Sequence, residues 1–291
     1  MAATHRLLPD GRLHLHHGPI DIVALAEGRP AEVAAAHAQA TARFATILEE
    51  LVAELPTLRR PVAPGPCPLK GTVARRMWAA ALPHATREPV TPMAAVAGAV
   101  AEAVLAAMTA GRSLHRAHTN NGGDIALHLT PKANPFRLAI AVDPTAPRSP
   151  GVLEVPHSAG VATSGAHGRS HSRGIADSVT VLATTAPAAD VAATLIANAT
   201  DLPGHPAISR TPARRLSPDS DLGDRLVTTA VGPLTPAETA TALDAGEAAA
   251  LQMLSEGLIL GAILVLGGRV RLAGAAALAP PLKEKTPCPT S

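Results

Sequence analysis

Asp190 and Thr194 stand four residues apart, so on a helix both side chains point to one face. A carboxylate and a hydroxyl, joined by a backbone carbonyl, are hard oxygen donors suited to a Mg2+ ion that also keeps waters and phosphate oxygens. The competing local reading makes Asp190 a cap for the helix after Pro187, with Thr194 as filler. Spacing alone leaves both open.

Two small-residue turns could carry backbone amides to an anion. Asn120-Asn121-Gly122-Gly123-Asp124 calls for positive φ, which glycine supplies. It is either a plain hairpin turn or a cradle in which Asp124 adds polar recognition. Ala162-Thr163-Ser164-Gly165-Ala166 lacks both flanking glycines of the hydrolase nucleophile elbow. Thr163, Ser164 and Gly165 therefore read better as hydroxyl and amide donors to phosphate oxygens. His171 and Asp177 follow at a short distance, but sequence distance does not build a triad. His167 and His171 would share a metal only on a helix, and Gly168 and Gly174 point to a loop. His14 and His16 lie on one face of an expected strand, and a solvated face is the better reading because no carboxylate or cysteine stands near them in sequence.

The elements that must hold these groups are legible in outline. Strands are expected at Arg6–Leu8, Leu13–His17 and Ile20–Leu25, the first two joined by an Asp10-Gly11 turn. A helix is expected from Pro30 to about Leu55, with Phe44, Ile47, Leu48, Leu51, Val52 and Leu55 on one stripe and Pro56 ending it. A short helix follows around Val73 to Leu82. Thr91 as N-cap and Pro92 at the first helical position open another, running to about Ala110. Its interior Gly98, which costs roughly 1 kcal/mol against Ala, implies a close contact with backbone or ligand.

A hairpin is expected over 114–129, strands over 136–142, 152–155 and 179–183, and a short helix from Asp190 to Asn198. Residues 203–223 read as one exposed loop, with a strand near Leu226. Thr235-Pro236 starts a helix to about Ser255, residues 258–272 close as a hairpin, and 280–291 read as a disordered tail.

Composition narrows the function. The chain has 291 residues, 47% of them hydrophobic, yet only 1% aromatic, with no Tyr, two Phe and one Trp. The core must be built from small aliphatic side chains, and no stacking platform for nucleic-acid bases is available. A net charge of +2 gives no reason to expect a polyanion partner. Cys67 and Cys288 lack metal spacing and imply no disulfide framework, which fits a reducing compartment. The N-terminus has no apolar signal region, and the apolar run 257–267 is too short to cross a bilayer. A soluble, cytoplasmic protein without membrane contacts is expected.

Six motifs in order resemble those of uncharacterised protein family 0280, soluble relatives of the ApbE flavin transferases. They are Thr-Pro-Met-Ala-Ala-Val-Ala-Gly (91–98), Asn-Gly-Gly-Asp (121–124), Ala-Thr-Ser-Gly (162–165), His-Ser (171–172), Ala-Asp-Ser-Val-Thr-Val-Leu-Ala (176–183) and Ala-Asp-Val-Ala-Ala-Thr (189–194). The resemblance implies an α+β, two-lobed fold with helices covering antiparallel sheets, over a single domain at 1–279.

It also implies a Mg2+ site at Asp190, Thr194 and the carbonyl near Ala95. Flavin or adenine dinucleotide binding is implied at Thr91, Met93, Asn121, Gly122, Gly123, Asp124, Thr163, Ser164 and Gly165, with His171 as acid–base or positioning group. The transferases move FMN from FAD onto a Ser or Thr of a target protein. Departures bear on that step: Gly98 stands where they carry a lysine, and His171 is followed by Ser-Arg-Gly in place of an Asp-Pro run. Any catalysis would be flavin transfer or cleavage of the FAD pyrophosphate. Two further readings stay open: a sulfur-assimilation component acting with a protein partner, and a non-catalytic binding protein. Small-residue helices and sheet edges suit a homo-oligomer.

Overall fold

The computed structural model describes residues 2–140, 151–168, 170–274 and 278–279. The tail expected over 280–291 and the end of the strand expected over 136–142 lie outside the described residues.

The chain opens with strands β1 (Thr4–Leu7), β2 (Leu13–His17) and β3 (Ile20–Gly28), then helices α1 (Pro30–Ala53), α2 (Leu55–Leu58) and α3 (Thr72–Ala81). Two short 3-10 turns follow, Leu82–His84 and Pro92–Ala95, the second leading into α4 (Val96–Thr109). Next come β4 (Leu114–Asn121), β5 (Asp124–Leu129), β6 (Phe136–Ala139), β7 (Val152–Val155), β8 (Ala159–Ser164) and β9 (Ser178–Ala183). Helix α5 (Ala186–Ala199) is followed by β10 (Ile208–Pro212), α6 (Ala213–Leu216), β11 (Leu226–Val231) and α7 (Pro236–Ser255). Strands β12 (Gly261–Leu266), β13 (Arg269–Gly274) and β14 (Leu278–Ala279) close the chain.

The architecture is α+β, as expected. Nine antiparallel strands run in the order β1-β2-β3-β4-β5-β8-β9-β12-β13, with β6, β7 and β14 in a second sheet and β10 with β11 in a third. In the central strands period-two alternation assigns side chains to one of two cores. Ala126, Ala162, Val179, Val181 and Leu264 face the helices, while Leu127, Val161, Leu182, Ile263 and Val265 pack with Phe136 and Val155 beneath the small sheet. On the helix side α4 lies between α1, α5 and β4. Among the described residues only Pro92–Thr109 is long and apolar enough to cross a bilayer, and here it is packed into the core. Trp78, the chain's one tryptophan, is 8% exposed on α3.

Several expectations change. The 30–55 helix breaks at Glu54, Pro56 sits in the first turn of α2, and Val52 is exposed, not buried. The stretch 203–223 is not one loop, because it contains β10 and α6, and β10 pairs with β11. Residues 159–164 form a central strand, and α5 begins at Ala186, four residues before Asp190. His14 Nε2 meets Asp21 Oδ1 at 2.9 Å across the β2–β3 pair, so a carboxylate absent from the local sequence arrives through the hairpin. No group of three or more His, Cys, Asp or Glu able to hold a metal occurs among the described residues.

Candidate functional site

The site grows from the place where the N-terminal turns of α4 and α5 meet. Gly98 and Gly160 allow that meeting. A Cβ on Gly98 would lie 2.4 Å from the Ala186 carbonyl oxygen, and one on Gly160 would lie 2.1 Å from the Ala186 amide nitrogen. The close contact implied by Gly98 is therefore with backbone, the first turn of α5.

At this junction the Gly98 amide donates to Asp190 Oδ2 at 2.9 Å. Thr185 and Glu102 cap α5: Ala188 donates its amide to Thr185 Oγ1 at 3.4 Å, and Ala186 donates to Glu102 Oε2 at 3.0 Å. Asp190 thus caps no helix of its own. It lies in the second turn of α5 and accepts from the first turn of α4, whose N-cap residue Ala95 offers no side chain for the purpose.

Asn121 Nδ2 donates to the Ala97 carbonyl at 3.1 Å, tying the end of β4 to the same turn. Directly after the Gly122-Gly123 turn, Asp124 accepts a hydrogen bond from the Thr163 backbone. Burial pushes the Asp124 carboxyl up to about 7. Asp190 is raised well above the ordinary Asp range, first by burial and then by the charge of Asp124, against the lowering effect of the Gly98 and Ala97 amides. Neither carboxylate forms an ion pair with Lys, Arg or His among the described residues. Thr194, one turn beyond Asp190, makes no side-chain hydrogen bond there either. By contrast, Thr41, Thr109, Thr239 and Thr241 each return their hydroxyl to the carbonyl four residues back.

The structure therefore links Asn121, Asp124, Thr163 and Asp190 to one junction at Ala97 and Gly98, while Ala95 stands at the start of α4 and Thr194 one turn beyond Asp190 without a hydrogen bond to it. Thr163 Oγ1 lies 2.9 Å from Thr180 Oγ1, a cross-strand pair on β8 and β9. Other expected residues have structural partners. Gly122 and Gly123 do have positive φ, but the Gly123 amide donates to Asn120 Oδ1 at 2.8 Å. Gly165, at φ 155, makes the close approach to the Asp177 carbonyl. Met93 packs half-buried against the main core.

Thr91 does not cap a helix with its side chain; its hydroxyl donates to Asp221. His171 Nε2 lies 3.2 Å from Ser217 Oγ. The segment 217–221 thus engages both residues, and no hydrogen bond joins either to the carboxylate pair. Beyond Gly165 a cavity of about 430 Å3 opens, lined in part by His167, Asp177, Thr228 and Gly267. His167 Nε2 sits 3.5 Å from Asp177 Oδ1, and Asp177 Oδ2 accepts from Gly267 at 2.8 Å.

Residues 5–272 match the profile of the family described as AbpE bacteria. The chain belongs to that family. The resemblance carried by the six ordered motifs therefore holds at the level of the ApbE superfamily.

Three solved structures are similar to this chain. The ApbE protein of Thermotoga maritima is 16% identical, with 64% of this chain and 52% of that chain covered and a TM-score of 0.39. This chain thus spans about half the length of that protein. The flavinyl transferase ApbE of Pseudomonas stutzeri, in its apo form, is 14% identical, with 93% and 94% covered and a TM-score of 0.47. The flavin transferase ApbE of Vibrio cholerae is 15% identical, with 94% and 97% covered and a TM-score of 0.40. No curated protein matches the chain.

Glu102 is the site residue that sequence reasoning missed. The signal was present: it is the single charge on an otherwise small and apolar α4.

Proposed function

We propose that this ApbE family member binds a flavin nucleotide such as FAD together with Mg2+, with the metal held at the α4–α5 junction. The observation that carries the reading is the Asp124–Asp190 pair, two desolvated, mutually interacting carboxylates with no cationic side chain against them among the described residues. Such a pair either keeps a proton or takes a cation.

The donor set fits a hard divalent ion. Asp190 and Asp124 supply anionic oxygen, the Thr194 hydroxyl is uncommitted, and Ala95 stands at the start of α4 to offer its carbonyl. Bound there, Mg2+ would supply positive charge to neutralise a pyrophosphate. The protein's own residues position and screen. The Gly98 amide fixes the Asp190 carboxylate, and the Thr163 backbone fixes Asp124. His171, now beside Ser217, would orient a phosphate oxygen. Binding is the claim. FMN transfer and pyrophosphate cleavage are activities to be read in the assay.

Calorimetric titration of the purified protein with FAD, with and without Mg2+, tests it. Micromolar binding that weakens at least tenfold in EDTA, and loses its metal dependence in Asp190→Ala, is the expected result. No FAD binding at any Mg2+ concentration, or the same metal dependence in Asp190→Ala, would overturn the reading.

A further inference from the structure

We infer that Glu102 is a positioning residue for the carboxylate pair, acting through a reciprocal lock between α4 and α5. The inference rests on the metal reading proposed above and names the residue that keeps its ligands in place.

The geometry is symmetrical. Helices α4 and α5 pack antiparallel, since Gly98 bonds Asp190 and Glu102 bonds Ala186. Each helix carries one carboxylate in its second turn, and each carboxylate accepts the first-turn amide of the other. Two bonds at separate heights fix the slide of α5 along α4 as well as its rotation, which a single cap does not. Gly98 and Gly160 remove the side chains that would hold the two starts apart.

Glu102 has no ion-pair partner among the described residues. A carboxylate half-buried on an otherwise apolar core helix gives up part of its hydration and needs a hydrogen bond in return, so its presence calls for a use. Its bond to Ala186 is that use. Asp124 sits on β5, outside the helix pair, and the distance from it to Asp190 is set by where α5 begins. Glu102 therefore governs the spacing of two groups it does not touch.

Thr185 gives the control. It too caps α5, through Ala188, but it belongs to α5's own approach and makes no bond to α4. Losing Thr185 should weaken the helix start without releasing the lock.

The test compares Glu102→Ala, Glu102→Gln and Thr185→Ala in the full chain, with Mg2+ alone as the probe. Calorimetry gives Mg2+ affinity without nucleotide, and amide hydrogen exchange follows Ala186 and Gly98. Expected for Glu102→Ala is a five- to tenfold weaker Mg2+ affinity, with exchange at both amides at least tenfold faster. Glu102→Gln keeps an acceptor oxygen and should stay within about twofold of wild type on both readouts. Thr185→Ala should lower the melting temperature while leaving Mg2+ affinity unchanged.

If Glu102→Ala matches Thr185→Ala, losing melting temperature but not Mg2+ affinity, Glu102 is an ordinary cap and the inference fails. If wild-type protein binds no Mg2+, the functional reading fails, and the exchange data still decide on the lock. Faster exchange at Ala186 alone would overturn it, and faster exchange at Gly98 as well would sustain it.

Discussion

Asp124 and Asp190 sit on different secondary elements, a strand and a helix, yet the charge of the first raises the pKa of the second. Strand β5 reaches the junction through the Gly122-Gly123 turn, and α5 reaches it by packing its glycine-cleared start onto α4 and β8. Two carboxylates brought together this way, from distant parts of the chain, make a place where positive charge is wanted.

That relationship gives the metal-free protein a pH dependence. Both groups hold their proton in the folded state to higher pH than an unfolded Asp, whose pKa is about 3.9. The folded state therefore binds more protons between the two values, and stability falls as pH rises. Urea melts in EDTA should show stability declining from about pH 4 to about pH 7. The slope per group is at most about 1.4 kcal/mol per pH unit. Asp124→Asn should flatten that decline, and an unchanged slope in this variant would count against the pairing.

Mg2+ should reverse the loss. A ligand at one hundred times its dissociation constant adds about 2.7 kcal/mol. The rise in melting temperature on adding Mg2+ should be larger at pH 8 than at pH 5, because the cation competes with the retained protons. Equal shifts at both pH values would argue for a metal site elsewhere.

Thr194→Val keeps the shape of the side chain and removes only the hydroxyl. With no hydrogen bond to lose, stability should change by about 0.5 kcal/mol or less, as for a substitution away from any structural contact. Mg2+ affinity should fall several-fold. Thermal melts and calorimetry separate the two effects, and an unchanged affinity would remove Thr194 from the ligand set.

Gly98→Ala places a methyl group against the Ala186 carbonyl, a backbone atom that cannot swing aside. Overpacking of this kind costs roughly 1–3 kcal/mol, despite the better helix propensity of Ala. Denaturant unfolding should show the loss. A neutral or stabilising result would mean that the two helix starts are less tightly packed than the structure shows.

Thr91→Val removes the donor to Asp221 and should cost about 1–3 kcal/mol by leaving a half-buried carboxylate without that bond. Asp221→Asn keeps an acceptor oxygen and should cost less. Equal losses for the two variants would show that the charge, rather than the hydrogen bond, holds the 217–221 segment in place.

The parts of the fold that local chemistry determines were legible in the sequence. Thr235, Pro236 and Glu238 form a capping box at the start of α7, and the Asn-Gly hairpin closes as expected between β4 and β5. Strand β8 was not legible. Ala159–Ser164 has neither β-branched density nor alternation, and it becomes a strand because β5 and β9 pair with it on either side. Gly160 lies there to admit a helix from another layer, a reason no local window contains.

The same holds for Asp190. Its spacing to Thr194 was readable, but its amide partner Gly98 lies 92 residues away, so the local pattern could not tell a metal ligand from a cap or name that partner. The true cap signal, Thr185 before Pro187, stood five residues earlier. Thr91 misled for the converse reason, because its N-cap pattern is real while its hydroxyl is claimed by Asp221 from the far side of the chain.

The scarcity of aromatic residues has an optical consequence. With one Trp and no Tyr, the near-ultraviolet absorbance and emission of the chain come almost entirely from Trp78, buried inside the protein. The protein is close to a blank cuvette with a single lamp in it. A flavin, which absorbs where tryptophan emits, would dim that lamp on arrival, so occupancy could be followed by the light of one native residue without attaching a label.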